Sequence, residues 1–91
     1  MELEEVFSSK LRMRILKVIY NSGQPNISDI ARQTKANFSS TAEHLKFLEA
    51  EGILQVHLYG RVRMYRFNVG SAKAKAVQNL IEVWEQNKLS K

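Results

Sequence analysis

Three observations predict a mainly α chain that carries one two-stranded β-hairpin, an α+β arrangement dominated by helices. Between Ile27 and Glu51, two helical patterns are separated by the break Thr34-Lys35-Ala36-Asn37. At Ile53 the helical period gives way to the alternation of a strand, which continues to Phe67 around Tyr59-Gly60-Arg61-Val62. Beyond Ser71 the helical period returns, with Val77, Leu80, Ile81 and Trp84 at i, i+3, i+4 and i+7.

Each element has a start and a stop. Leu3, Val6 and Phe7 have helical spacing, so a short helix is expected over 2–7. Ser8 or Ser9 can cap a helix over 10–21 with the apolar stripe Leu11, Ile15, Val18 and Ile19, which Asn21-Ser22-Gly23-Gln24-Pro25 ends. Ile27 is read as a one- or two-residue strand, and Ser28 as the cap of a helix over 29–34 that buries Ile30 and Ala31. Asn37 caps a helix over 38–51 that buries Thr41, Leu45 and Leu48, and Gly52 stands where a helix end favours glycine. In the first strand Leu54, Val56 and Leu58 alternate with Gln55, His57 and Tyr59, and the return strand runs from Val62 to Phe67. Gly60-Arg61 fits a two-residue turn with glycine in its first central position. Asn68-Val69-Gly70 breaks the strand, and Ser71 caps a last helix over 72–88. A core this small cannot absorb the whole apolar face of that helix, so a second copy of the chain is expected to cover part of it.

Composition narrows the function classes. Ninety-one residues, 44% of them apolar, suffice for one small core and not for two domains with a catalytic cleft, so 1–91 is expected to be a single domain. No apolar run reaches the roughly 18 residues that span a bilayer. Met1-Glu2-Leu3-Glu4-Glu5 is acidic where a secretory signal is basic, so a cytoplasmic protein with no membrane partner is expected. The absence of cysteine excludes disulfides, thiolate metal sites and cysteine nucleophiles, and with His44 and His57 alone no metal site and no cofactor is expected. Nor is an enzyme expected, because the serines act as caps and Glu43 and His44 lie on different faces of one helix. The net charge of +5 is unevenly placed: residues 10–75 carry twelve Lys or Arg against four acids, whereas residues 1–9 carry three acids and no base. A basic excess concentrated in this way suits a polyanion.

The order helix, break, helix, hairpin reads as a winged helix-turn-helix: a helix-turn-helix over 27–51, a wing over 53–67 and a C-terminal dimerisation helix over 71–89. Such a fold presents one helix and one hairpin to a DNA duplex. On the 38–51 helix, Thr41, Leu45 and Leu48 cluster on one side at about 100° per residue. Phe38, Ser39, Ala42, Glu43 and Lys46 point the other way, short and polar enough at their N-terminal end to let the helix lie deep in the major groove. Serine can bond any base edge, Phe38 or Ala42 can touch a thymine methyl, and Lys46 can reach a phosphate or a guanine. Glu43 repels phosphate unless it accepts a hydrogen bond from a cytosine amino group. The helix N-terminus from Asn37 through Ser39 and Ser40 offers backbone N–H groups to a phosphate, with Arg32 and Lys35 on the same flank. Arg61 at the wing tip, with Arg63 and Arg66 on the return strand, can follow the backbone or enter the minor groove. Leu3, Val6 and Phe7 are expected to pack with Val77, Leu80, Ile81 and Trp84 across a two-fold axis, which sets two recognition helices about 34 Å apart. The alternative is a winged-helix docking module whose same helix faces a protein in a transcription complex.

These residues also resemble a known family. Phe7-Ser8-Ser9-Lys10-Leu11-Arg12-Met13-Arg14-Ile15-Leu16 looks like the first helix of ArsR-like winged-helix regulators. Ile27-Ser28-Asp29-Ile30-Ala31 through His44-Leu45-Lys46-Phe47-Leu48 resembles their helix-turn-helix, and Gly60-Arg61 through Tyr65-Arg66-Phe67 resembles their wing. The similarity spans about 7–68 and is strongest toward the small archaeal members of that group. It implies a homodimer that binds a pseudo-palindromic operator and usually represses transcription, with Phe38, Ser39, Ala42, Glu43 and Lys46 on the recognition surface. Three positions depart from the family pattern: Lys35 stands at a turn position where glycine is usual, Thr41 at a core position where valine is common, and Glu43 where a basic or neutral residue is common. A positive φ at Lys35 is expected to cost roughly 1 kcal/mol. Thiolate metal sensing does not carry over to a chain without cysteine.

Overall fold

Side-chain caps decide where the helices begin. In the computed structural model, which describes residues 2–89, the order is α1 (Leu3–Val6), α2 (Lys10–Ser22), α3 (Ile27–Thr34), α4 (Phe38–Ala50), β1 (Leu54–Tyr59), β2 (Val62–Phe67) and α5 (Ala72–Leu89). Met1, Ser90 and Lys91, which the single-domain expectation includes, lie outside the described residues. The Ser9 hydroxyl accepts the Arg12 N–H at 3.1 Å and starts α2. Asn26, not Ser28, caps α3: its Oδ1 accepts the Asp29 N–H at 2.8 Å, so the helix begins at Ile27. The strand-like residue is accordingly Asn26 rather than Ile27. It forms one antiparallel bridge with Met64, and the Tyr65 N–H donates to the Pro25 carbonyl at 2.9 Å. An extended asparagine can do both, capping a helix with its side chain while its backbone pairs with β2.

The core draws on every long element. Ile15, Leu16 and Ile19 of α2 are fully buried with Ile30 of α3 and Leu45 and Leu48 of α4, and β1, β2 and α5 add Leu54, Tyr65, Phe67, Ala74 and Val77. At about 1.5–3 kcal/mol for each large aliphatic side chain buried, this cluster supplies the main favourable term. Leu16 lies deeper than Leu11 and Val18, which are half-buried at its edge, because α2 is covered from both the α3–α4 side and the β2–α5 side. Ala31 is likewise half-buried, and Thr34 is the buried residue at the end of α3. Its hydroxyl donates to the Ile30 carbonyl at 2.8 Å. Thr41 occupies the interior with its hydroxyl donating to the Asn37 carbonyl at 2.8 Å, so a threonine fills a valine-like place without an orphaned polar group.

The hairpin pairs Leu54 with Phe67 at its base and Tyr59 with Val62 at its tip. Gly60 has φ 62°, and since Lys35 is the sole non-glycine residue at positive φ among the described residues, Arg61 follows with an ordinary negative φ. That combination is the two-residue turn with glycine first, whose twist matches the strands. Asn68 fastens the base: its N–H donates to Ile53 O at 2.9 Å, its Nδ2 to Gly52 O at 3.0 Å, and its Oδ1 accepts from Gly70 N at 3.1 Å. The wing is thereby tied to the end of α4. α5 starts with the Ser71 hydroxyl accepting the Ala74 N–H at 3.2 Å and is joined to α2 by Lys17 Nζ–Glu85 Oε1 at 3.0 Å. Among the described residues no helix is long and apolar enough to cross a membrane.

Candidate nucleic-acid interface

The turn between α3 and α4 is built from two opposed caps. Lys35 ends α3 in the left-handed conformation, φ 57° and ψ 36°. Its N–H donates to Arg32 O at 3.2 Å and the Ala36 N–H to Ala31 O at 3.0 Å, the paired bonds of a Schellman ending. Two residues later the Asn37 Oδ1 accepts the Ser40 N–H at 2.7 Å and starts α4. The far end of α4 closes by the same device with glycine in place: Gly52 has φ 77°, its N–H reaches Glu49 O at 3.0 Å, and the Ile53 N–H reaches Leu48 O at 3.0 Å.

This geometry gives α4 two distinct faces. Thr41, Leu45 and Leu48 are buried, while Asn37, Phe38, Ser39, Glu43 and Lys46 are exposed and Ser40 and Ala42 are half-buried beside them. Arg32 and Lys35 are exposed on the preceding helix and turn. The Arg32 guanidinium touches Asp29 Oδ1 at 2.9 Å, a solvent-exposed pair of the kind worth about 0–1 kcal/mol and therefore easily given up to a phosphate. The α4 N-terminus adds the positive end of a helix dipole.

A second set of contacts holds α4 from behind. The Arg12 guanidinium lies 3.9 Å from the centre of the Phe47 ring and also donates to the Glu5 carbonyl. Arg12 thus joins the α1 end of the chain to α4. Sequence reasoning assigned it no role, because cation–ring contact between residues 35 positions apart leaves no periodic signal. His44 is half-buried on the same side. Burial first, and the Arg12 charge next, lower its pKa below 6.5 against an opposing pull from Glu43, which keeps the imidazole largely neutral at pH 7.

On the wing, Arg61 and Arg63 are exposed at and just past the tip. Arg66 is half-buried near the base, opposite Gln55 in register. Of the residues expected at a dimer seam, Val6, Val77 and Ile81 are buried within the chain's own core and Phe7 is half-buried, whereas Leu3, Leu80 and Trp84 are exposed. Val83, one step off the expected stripe, is exposed beside them. Leu3, Val6, Phe7, Ile53, Lys73, Ala76, Val77 and Leu80 line one groove of about 500 Å³, and Met13, Lys17, Leu80, Ile81, Trp84 and Glu85 line another of about 270 Å³. No group of three or more metal-ligating side chains occurs among the described residues.

The comparison with known proteins settles the family. Residues 9–56, more than half of the chain, match the model of bacterial regulatory proteins of the arsR family. The chain belongs to the ArsR family. It is a winged helix-turn-helix DNA-binding regulator, and ArsR-family regulators act by binding DNA rather than by catalysis. A predicted DNA-binding transcriptional regulator from E. coli superimposes with a TM-score of 0.78 at 23% identity, over 92% of this chain and 83% of that one. The homodimeric winged helix-turn-helix DNA-binding domain of a possible ArsR-family regulator from Mycobacterium bovis gives 0.71 at 20% identity, over 90% and 73%. A structure from Archaeoglobus fulgidus gives 0.72 at 19% identity, over 92% and 94%. At these identities the likeness is one of fold. No curated protein matches the sequence.

Proposed function

We propose that this ArsR-family chain acts as a single-domain, cytoplasmic homodimeric repressor that binds a pseudo-palindromic duplex site, with α4 in the major groove and the wing on the adjacent backbone or minor groove. The observation that carries the reading is the joint exposure of one α4 face and the wing arginines. Phe38, Ser39, Glu43 and Lys46 are exposed along a helix capped at its N-terminus, and Arg61 and Arg63 are exposed on a hairpin tied to the other end of the same helix. In this arrangement Ser39, Ala42 and Glu43 face base edges. Arg32, Lys35, Asn37, Ser40, Arg61 and Arg63 position the protein on phosphates, and Phe38 and Lys46 lie at the margin between the two roles. The dimer reading is supported by Leu3, Leu80, Val83 and Trp84, large apolar side chains left exposed on α1 and α5. The homodimeric state of the Mycobacterium bovis domain supports it too.

The test is duplex binding as a function of salt. Wild type is expected to show a steep fall of log K with log[salt], and Arg61→Ala with Arg63→Ala to flatten the slope by about 0.9 for each phosphate no longer neutralised. Substituting Ser39 or Glu43 is expected to change the preferred sequences recovered from a random duplex pool. Absence of binding at low salt overturns the proposal.

A further inference from the structure

The six residues from Leu58 to Arg63 are all exposed, and three of them are large and apolar: Leu58 at 65%, Tyr59 at 63% and Val62 at 46% exposure. Single exposed apolar side chains are ordinary, but three within one hairpin tip form a surface that water solvates poorly. The register sorts them. Tyr59 and Val62 form a cross-strand pair on one face of the ribbon, with the His57 ring 6.4 Å from the Tyr59 ring, and Leu58 stands opposite Arg63 on the other. Among the described residues no other apolar group covers them, and the apolar pairs that pack into the core are those at the base, Leu54 with Phe67 and Val56 with Tyr65. Arg61 sits at the apex of this apolar tip and Arg63 beside it.

Resting on the proposed DNA-binding function, we propose that the wing tip is a wedge. The Tyr59–Val62 face enters the minor groove, Tyr59 spreads a base step, and the duplex is bent where the wing lies. Charge complementarity selects the occupant. Arg61 stands in the turn between the two members of the apolar pair and Arg63 on the opposite face of the same tip, so both cations lie within reach of the phosphate walls of a groove that the tip enters, whereas an apolar protein surface would leave both without partners. Apolar side chains inserted at a base step kink DNA by roughly 20–90°, and pyrimidine–purine steps yield most easily. The wing therefore contributes sequence preference through deformability, at base pairs that α4 does not touch. The arginines also keep so apolar an edge from pairing with another hairpin.

The experiment measures bending at saturating protein and low salt, with duplexes labelled at both ends for energy transfer and carrying a fluorescent adenine analogue at a central TA step. The full chain is expected to shorten the end-to-end distance and brighten the analogue. Tyr59→Ala is expected to abolish both while binding is weakened by roughly 5- to 150-fold and still saturates, the equivalent of the about 1–3 kcal/mol that stacking one aromatic on a base is worth. Tyr59→Phe keeps both signals, and Leu58→Ala, on the other face, changes neither. An A-tract duplex is bound but bent less. Binding by wild type without bending, or bending that survives Tyr59→Ala or is lost in Leu58→Ala, overturns the wedge while leaving DNA binding intact. Failure to bind any duplex overturns the function on which the wedge rests. Anionic lipid vesicles are expected to leave the protein in solution, and Tyr59-dependent capture on them would reassign the tip to a membrane surface.

Discussion

Lys35 offers the sharpest test of the local physics, because its backbone is the one left-handed non-glycine position among the described residues and its side chain is exposed. Lys35→Gly removes the clash between Cβ and the following carbonyl, worth roughly 1–2 kcal/mol. The added freedom of glycine in the unfolded chain takes back roughly 0.5–1 kcal/mol. The substitution also removes a cation from a helix C-terminus, a loss of about 0.3–1 kcal/mol that Lys35→Ala shares. Comparing glycine with alanine therefore isolates the backbone. Lys35→Gly is expected to exceed Lys35→Ala in stability by about 0.5–1 kcal/mol, or roughly 3–6 °C in Tm for a chain of this size. Urea and thermal unfolding by far-UV circular dichroism, at one protein concentration to hold any association constant, give the difference directly. Equal stability of the two variants, or greater stability of the alanine variant, would refute the left-handed strain. In duplex binding the two variants are expected to be alike, because each lacks the same ammonium group.

Asn37→Ala leaves the Ser40 N–H without its acceptor at the start of α4 and is expected to cost about 1 kcal/mol, read from the urea midpoint, with Asn37→Ser recovering most of it. Trp84 is the chain's single tryptophan and is 67% exposed, so its emission should shift to the red on dilution if a partner covers it. Leu80→Asp with Trp84→Asp should fix the one-chain sedimentation mass at all concentrations while far-UV dichroism is unchanged. Wild-type emission independent of concentration would argue against the α5 seam. His44 has a folded-state pKa below its ordinary 6.5, so the unfolded chain binds the proton more readily. The neutral state favours the fold, and stability is expected to be intact above about pH 6.5 and to fall as pH drops through the window below it. His44→Gln should flatten that part of the urea-midpoint profile, and an unchanged slope would place the linkage elsewhere.

The outward face of α4 is legible because three inward residues, Thr41, Leu45 and Leu48, are enough to orient a helix whose period is known. The wing is legible because Gly60 marks a turn between two alternating runs. The start of α3 differs from the expectation for a definite reason. Asn26 and Ser28 are both good caps, and the choice falls to Asn26 because its backbone also pairs with Met64, some forty residues away. Arg12 over Phe47, and the division of the α5 face into buried Val77 and Ile81 and exposed Leu80 and Trp84, are equally hidden from a reading of neighbours along the chain.

By itself, then, the sequence determined which segments are helix and which hairpin, where the caps and turns can fall, and which α4 side chains point outward. These are near-neighbour consequences of φ preference, side-chain caps and apolar period. Only the tertiary structure decided how deep each apolar face is buried, which of two competing caps is used, and that Leu58, Tyr59 and Val62 lie beyond the reach of the core. Burial is a property of what packs opposite, and an apolar residue carries no local mark of whether anything does.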